Sequence, residues 1–306
     1  MADATTTTEA TGTGRERLRG LVAFFRERPR LKVGAIAGIP YAVLTVFFVL
    51  PLLVMLLISF RQGTIDGPFT VENYVAFLTS STYLTVVWRT FLITVQVTAV
   101  VTVVGYALAY SIVRFSRRTT LLLLLVILPF WTSYIIRMYA WINILQRGGV
   151  LDSTLVLLGV LDQPAGFLYS QPAVMVGFVY VWLPLAVLPF YASLANMDPD
   201  LVEAAKDLGA GPIKAFVTVT LPTTINGVVT GVILVFIPTF GSFITPRLLG
   251  GTNNVMIGMI IENQFKEAFN WPFGAAIGIV ISAVVVALLV AGARVGGDLF
   301  DGGERA

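Results

Sequence analysis

Long apolar runs without a charged residue limit most strongly what this chain can fold into. One helix of about 20 apolar residues crosses the roughly 30 Å hydrocarbon layer of a bilayer. Six runs reach or approach that length: 33–60, 90–113, 119–136, 172–195, 215–246 and 271–293. The third is short, and we expect its helix to continue past Arg137 to about Leu145. The sequence therefore predicts an all-α, polytopic membrane helix bundle with six transmembrane helices.

Composition supports this class and excludes several kinds of chemistry. Hydrophobic residues make up 57% of the 306 residues, against roughly 45–50% in soluble domains. The absence of His and Cys excludes Ser-His-Asp and Cys-His nucleophiles, thiolate or imidazole metal sites and disulfides. No G-x-x-x-x-G-K-[ST] motif occurs, so the chain lacks a phosphate-binding P-loop. We predict no catalytic residues, no metal site and no nucleic-acid partner.

The distribution of cations predicts the orientation in the membrane. With the N-terminus inside, 14 of the 20 Lys and Arg residues fall on cytoplasmic segments and 6 on outer segments, as the positive-inside rule requires. This asymmetry explains the basic N-terminal tail better than a binding patch does. We expect three regions: a disordered, basic cytoplasmic tail (1–32), a six-span domain (33–293) and a cytoplasmic C-terminal tail (294–306).

Paired glycines at helical spacing predict places where helices approach closely. Such small-xxx-small pairs let two backbones come together inside a membrane. They occur at three places in the runs: Gly34/Gly38, Gly227/Gly231 and Gly274/Gly278.

The loop at 196–222 breaks the positive pattern and reads as a short amphipathic helix. Asp198 suits the N-cap, Pro199 the first helical position and Gly209 the C-terminal stop. Small apolar residues fall on one face and acidic residues on another: Leu201, Ala204, Ala205 and Leu208, and Asp200, Glu203 and Asp207. The helix could lie on its own bundle or on lipid headgroups. Its acidic face favours a protein partner, because interfacial helices prefer Lys and Arg.

The same loop resembles the EAA loop of ABC-importer permeases. The matching residues are Glu203, Ala204, Ala205, Gly209, Leu221 and Pro222, with Val219 where the family usually has Ile. The resemblance implies that this loop is the coupling helix, which docks onto a separate ATP-binding subunit. The chain itself would then bind no cofactor, since ATP and Mg would belong to the partner ATPase subunits.

Two further stretches resemble the spermidine/putrescine (polyamine) permeases. One comprises Phe130-Trp131, Arg137, Tyr139-Ala140-Trp141 and Leu145; the other runs from Leu248 to Gly251 and from Asn270 to Ala276. Asp152 departs from the expected Asn. The resemblance implies an inner (cytoplasmic) membrane importer with a pair of ATP-binding subunits, a second and different permease chain, and an extracytoplasmic solute-binding protein.

Aromatic residues near the outer face are the candidates for contact with a cationic cargo, because the spans contain no Asp or Glu. The candidate path comprises Tyr134, Arg137, Tyr139, Trp141, Tyr180, Trp182 and Glu262. Most of these residues also suit an aromatic belt at the membrane interface. Arg137 could bind an anionic solute, extend to the outer interface, or pair with Asp152 or Glu262.

Three function classes compete at this point. The leading hypothesis is a permease subunit of an ATP-driven importer, for a polyamine or another small solute. A stand-alone secondary transporter or channel would usually carry intramembrane Asp, Glu or His as proton relays, and these are absent from the spans. An intramembrane enzyme would need a catalytic carboxylate pair that the spans do not contain.

Overall fold

The computed structural model of the protein describes residues 38 and 40–301, with side chains as far as residue 290. The predicted tail at 1–32 and Gly34 lie outside these residues. The chain divides into two compact units between Ile58 and Ser59. Within the described part of the chain the regular structure is helical, and a single antiparallel bridge joins Arg61 to Phe69.

The first unit contains helix α1, Pro40–Ser59, which extends one residue beyond the unit boundary. Its sequence is apolar throughout, and a π-helical turn occupies Thr45–Val49. Most of its side chains are exposed, as suits a helix whose surroundings are hydrocarbon. The helix confirms an apolar segment of membrane-spanning length in the first predicted run.

The second unit holds the remaining helices. They are α2 (Glu72–Thr79), α3 (Ser81–Phe115), α4 (Thr119–Trp131), α5 (Tyr134–Leu145), α6 (Val150–Leu157), α7 (Gln171–Ala195), α8 (Asp200–Asp207), α9 (Pro212–Thr223), α10 (Ile225–Phe240), α11 (Ile244–Leu249), α12 (Ile257–Lys266) and α13 (Trp271–Asp301). In the described residues, α1, α3, α7 and α13 are each long and apolar enough to cross a membrane. The count rises to six if each of two bent helix pairs forms one span, which is consistent with the predicted six.

The third predicted span is not one continuous helix. α4 ends in a 3₁₀ turn at Leu128–Trp131, Thr132 and Ser133 are extended, and the segment Tyr134–Leu157, which holds α5 and α6, leaves at 93° to α4. Pro129 cannot donate a backbone hydrogen bond and therefore interrupts the helical pattern here. Its carbonyl accepts a hydrogen bond from the Thr132 hydroxyl at 2.8 Å. The expected continuation through Arg137 to Leu145 is therefore helical but sharply bent.

The fifth predicted span is also divided, although 215–246 carries no charge. A π-helical turn spans Phe216–Thr220, and the chain bends by 68° where α9 meets α10 at Thr224. Leu221 and Pro222 lie just before this bend. Helix α10 ends at Phe240, because residues 241–243 form a turn before α11.

The core of the second unit forms where α3, α7 and α10 pack together. Phe190 is fully buried, and its ring lies in edge contact with Tyr106 at 5.8 Å. A Cβ at Gly231 would lie 2.2 Å from Phe190 Cε1, and one at Gly227 would lie 2.4 Å from Ser193 Cβ. Close approach at this glycine pair is confirmed, because only a hydrogen fits in each gap.

Gly231→Ala should destabilise the protein by about 2–3 kcal/mol, since its methyl group overlaps the Phe190 ring and overpacking costs of this order. The measurement is the midpoint of denaturant unfolding in detergent. Gly241→Ala is the matched control, because its Cβ would have no neighbour nearer than 3.9 Å. Equal midpoints for the two variants would contradict the close packing of α10 on α7.

Candidate functional site

The acidic loop, residues 196–222, folds as a capped helix followed by a turn. The Asp198 carboxylate accepts a hydrogen bond from the Asp200 amide at 3.0 Å, so α8 begins at Asp200, one residue after the predicted start. Gly209 has φ +84°, its amide donates to the Lys206 carbonyl, and the Ala210 amide donates to the Ala205 carbonyl. This pair of bonds is the Schellman termination that glycine favours.

Large apolar side chains on the acidic loop remain uncovered by the described part of the chain. Leu208 is 90% exposed, Ile213 82% and Leu201 46%. Val202 and Ala205 turn towards the bundle instead. An apolar face left open beside acidic residues is typical of a docking surface for another protein. The helix is therefore not buried on its own bundle through the predicted Leu201–Leu208 face.

Glu203 is held in place by neighbouring cations. Its carboxylate accepts a hydrogen bond from Lys206 Nζ at 2.9 Å, and Arg114 Nη2 on α3 lies 3.8 Å away. The hydrogen bond from Lys206 and the charge of Lys206 lower the pKa of Glu203, and Arg114 adds to this shift. Glu203 is thus ionised at neutral pH and remains exposed to a partner.

The other motif residues of the acidic loop divide between its two faces. Ala204, Gly209 and Pro222 are exposed, whereas Ala205 and Leu221 are half-buried. Leu221 lines a cavity of about 470 Å³ together with residues of α3 and α10. The loop therefore presents Glu203 and Ala204 outward while anchoring its end against the bundle.

An aromatic cluster forms where α5 crosses α7. The Tyr134 and Trp182 rings lie 6.4 Å apart, and Trp141 meets Tyr180 edge-on at 5.6 Å. The Tyr134 hydroxyl hydrogen-bonds the Thr245 hydroxyl of α11 at 2.5 Å. Four of the predicted path residues thus lie in two neighbouring pairs on the same two helices.

Two predicted path residues lie outside these contacts. Tyr139 on α5 is 55% exposed, whereas its neighbour Met138 is fully buried. Glu262 on α12 is bound by Arg247 and by Lys266, whose Nζ lies 3.0 Å from the carboxylate. Thr245 contacts Tyr134 but was not predicted; its only sequence signal is a hydroxyl residue before Pro246 in an apolar run.

Arg137 is a buried cation beside the aromatic cluster. It is 8% exposed, and its guanidinium carbon lies 5.5 Å from the Phe130 ring centroid and 5.8 Å from that of Tyr134. Its Nε and Nη1 atoms have no hydrogen-bond acceptor among the described residues. The indole Nε1 of Trp182 is buried and unpartnered in the same way.

The two carboxylates suggested as partners of Arg137 bind elsewhere. Asp152 is fully buried, and its Oδ2 accepts from the amides of Gly148 and Gly166 at 3.0 and 2.9 Å. Glu262 is engaged by Arg247 and Lys266. The predicted pairing of Arg137 with either carboxylate is therefore wrong in this structure, because each of them has other donors.

An ion cluster ties α11 to α12 on the predicted outer side. Arg247 bonds Glu262 and also Glu267, the latter at 2.6 Å, and Lys266 completes the cluster. Burial raises the pKa of Glu262, but the hydrogen bonds from Lys266 and Arg247 outweigh it and leave the pKa below its ordinary value. The Glu267 and Glu262 hydrogen bonds raise the pKa of Arg247.

The known proteins that this chain resembles are membrane components of transport systems. Residues 101–295 match the family model described as binding-protein-dependent transport system inner membrane component. The chain is 38% identical to the spermidine/putrescine transport system permease protein PotB of Haemophilus influenzae, covering 80% of this chain and 87% of that protein. It is 35% identical to PotB of Escherichia coli, covering 81% and 91%.

A more distant sequence relative and a solved structure are also similar to this chain. The inner membrane ABC transporter permease protein YdcU of Escherichia coli is 32% identical, covering 74% of this chain and 76% of that protein. A chain of a bacterial ABC transporter that imports the acidic polysaccharide alginate superposes with a TM-score of 0.72 at 16% identity, covering 90% of this chain and 97% of that chain.

The ion cluster predicts a pH-dependent stability. Because the folded pKa of Glu262 is lowered, its contribution is present above the ordinary carboxyl value of about 4.3 and is lost as pH falls through the folded pKa. Wild type should unfold at a higher temperature than Glu262→Gln near neutral pH, and the difference should vanish well below pH ~4. Tryptophan fluorescence of the 5 Trp residues follows the unfolding.

Glu72→Gln is the control for this prediction, because the Glu72 carboxylate is exposed and accepts only a neutral amide hydrogen bond from Gln62. Its unfolding temperature should follow wild type over the whole pH range. A constant difference between wild type and Glu262→Gln would show that the ionised form of Glu262 does not stabilise the cluster.

Proposed function

The chain belongs to the inner membrane components of binding-protein-dependent transport systems, and within that family we propose that it forms half of the translocation path for a polyamine such as spermidine or putrescine. Membership makes it a permease subunit of an ABC importer, a transport component and not an enzyme. The observation that carries the cargo assignment is the similarity to PotB over four fifths of the chain.

The acidic loop supports coupling to a separate ATPase. α8 presents Glu203, Ala204 and Leu208 to solvent, and Gly209 ends the helix sharply. A partner groove could take the exposed apolar residues, while its cations pair with the acidic face. The proposed partners at this surface are a pair of ATP-binding subunits, which would also hold ATP and Mg.

The proposed orientation follows from the same surface. ATP-binding subunits work in the cytoplasm, so the acidic loop, both termini and 14 of the 20 cations would face that side. The segments 61–89, 146–171 and 247–270 would then face outward. They would receive solute from an extracytoplasmic binding protein, and a second, different permease chain would complete the path.

A polyamine passing the aromatic cluster would meet both attraction and repulsion. Aromatic faces such as Tyr134 and Trp182 attract ammonium groups by up to about 2 kcal/mol when desolvated. Arg137 would repel an ammonium ~6 Å away by about 3 kcal/mol at an effective dielectric constant near 20. A single aromatic face does not outweigh this repulsion. Since the spans of this chain contain no carboxylate, the compensating charge would come from the second permease chain.

Arg137 supports a second candidate cargo, a small anionic solute. Its buried and unpartnered Nε and Nη1, together with the Trp182 Nε1, are hydrogen-bond donors that a carboxylate would satisfy. Polyamine ammonium groups offer no acceptor to these donors. The Arg137 guanidinium would therefore attract an anionic cargo and repel a polyamine.

Two substitutions in the acidic loop test the coupling assignment. Glu203→Lys reverses the charge presented to the ATPase, and Gly209→Val places a β-branched residue at φ +84°, a conformation such residues rarely adopt. Each should abolish ATP-driven uptake while membrane insertion stays intact. Asp66→Lys makes the same charge change in an outer turn, away from the acidic loop, and should still assemble with the ATP-binding subunits. Survival of uptake in both loop variants would refute the assignment.

Competition binding and uptake with the reconstituted importer test the cargo. We expect spermidine and putrescine to bind in preference to a dicarboxylate, and Arg137→Gln to retain polyamine uptake or raise it by up to about tenfold as repulsion is removed. Arg137→Lys keeps the charge and controls for loss of folding. If the dicarboxylate binds, and Arg137→Gln abolishes its uptake, the cargo is anionic.

A further inference from the structure

The junction of α9 and α10 has the backbone of a hinge. Thr224 lies outside the helical region, at φ −101° and ψ 5°, and the two helix axes differ by 68°. Upstream, the π-helical turn Phe216–Thr220 widens the helix, and Pro222 lacks the amide that would close the next turn. Backbone hydrogen bonds still reach Thr224 from both sides: its amide donates to the Thr220 carbonyl, and its carbonyl accepts from the Val228 amide, both at 3.2 Å.

Side chains add to these backbone hydrogen bonds in fixing the angle between α9 and α10. The Tyr106 hydroxyl of α3 and the Thr224 hydroxyl lie 2.7 Å apart, and Thr224 is fully buried. Thr224 Oγ1 also donates to the Thr220 carbonyl at 2.7 Å, and Ser193 of α7 donates to the Thr224 carbonyl at 3.2 Å. Thr224 is thus the point where α3 and α7 both contact the bend.

Packing differs sharply on the two sides of the bend. Downstream, Gly227 and Gly231 bring α10 against Ser193 and Phe190 with no room for a methyl group. Upstream, a cavity of about 470 Å³ lies between α9 and the Tyr106 face of α3, and one of about 260 Å³ lies where Val202 of α8 faces Tyr110 and Arg114. α8 and α9 border these two cavities. The face of α10 that meets α7 is closely packed, but other residues of α10, among them Val229, Val232 and Phe236, line a further cavity of about 350 Å³.

We propose that Thr220–Thr224 is the hinge through which displacement of the acidic loop changes the angle of α10, and that the Tyr106–Thr224 hydrogen bond is its latch. Tyr106 is then a positioning residue: it touches neither cargo nor ATP, and its hydroxyl stabilises the bent state seen here. The inference rests on the proposed importer function but is independent of which solute is carried.

Tyr106→Phe removes the latch hydroxyl and keeps the ring that packs on Phe190 and Phe216. Loss of one net hydrogen bond should shift the ratio of bent to straightened hinge by about fivefold. Tyr110→Phe is the matched control, one turn along α3, where the ring meets Phe216 at 5.5 Å and the hydroxyl does not reach Thr224. Thr224→Val removes the other partner, and Thr224→Ser restores a hydroxyl.

The assembled importer in lipid nanodiscs provides two measurements. The chain contains no native Cys, so cysteines introduced at the exposed Thr218 and Thr230 carry spin labels on both sides of the hinge. We expect Tyr106→Phe and Thr224→Val to shift the distance distribution and to lower the solute imported per ATP severalfold. Tyr110→Phe and Thr224→Ser should resemble wild type in both measurements.

Two results would overturn the latch: an unchanged distance distribution in Tyr106→Phe, or a distribution that shifts while the solute imported per ATP stays the same. If Tyr106→Phe fails to assemble, Thr224→Val compared with Thr224→Ser decides on the same two measurements. If wild type imports solute with ATP while its distance distribution never responds to ATP, the hinge is refuted; absence of ATP-driven uptake by wild type would instead refute the proposed importer function. The failure of the latch and the failure of the function are therefore distinguishable.

Discussion

Backbone hydrogen bonding inside hydrocarbon is the constraint on which this structure depends. A spanning segment must satisfy its amides and carbonyls internally or through neighbouring protein groups. The chain obeys this with long helices and interrupts them at Thr132–Ser133 and at Thr224. Near each interruption a side-chain hydroxyl and a backbone amide both donate to the same carbonyl, that of Pro129 or of Thr220. Both candidate functional regions adjoin an interruption: the aromatic cluster follows the first, and the acidic loop precedes the second.

Charge is the second constraint, because the spans contain a cation and no anion. Arg137 is buried between aromatic rings without an acceptor among the described residues. The carboxylates of Asp152 and Glu262 bind other groups. Asp152 accepts hydrogen bonds from two loop amides, and Glu262 belongs to the ion cluster between α11 and α12. A cationic cargo therefore requires an anion from outside this chain. For that reason the proposed second permease subunit matters electrostatically as well as sterically.

Local signals predicted the parts of the structure that depend on local interactions. The acidic loop folds with a glycine of positive φ at Gly209 and an aspartate accepting at its start, because caps and terminations involve residues only a few positions apart. The close glycine contact at Gly227 and Gly231 was also predictable from spacing. The third span was wrong as a continuous helix, because hydropathy measures apolarity and does not register the bend at Thr132–Ser133. The bend at Thr224 follows directly on Leu221-Pro222, where a proline marks a break in the helical pattern.

By itself, the sequence determined the membrane class, the apolar runs and the acidic loop, since these follow from composition and short-range spacing. Only the tertiary structure decided which side chains meet: Tyr106 with Thr224 across 118 positions, Tyr134 with Thr245 across 111, and Arg137 with no carboxylate. Such pairs depend on how helices cross and bend. Packing of the whole bundle sets that geometry, and no local pattern encodes it.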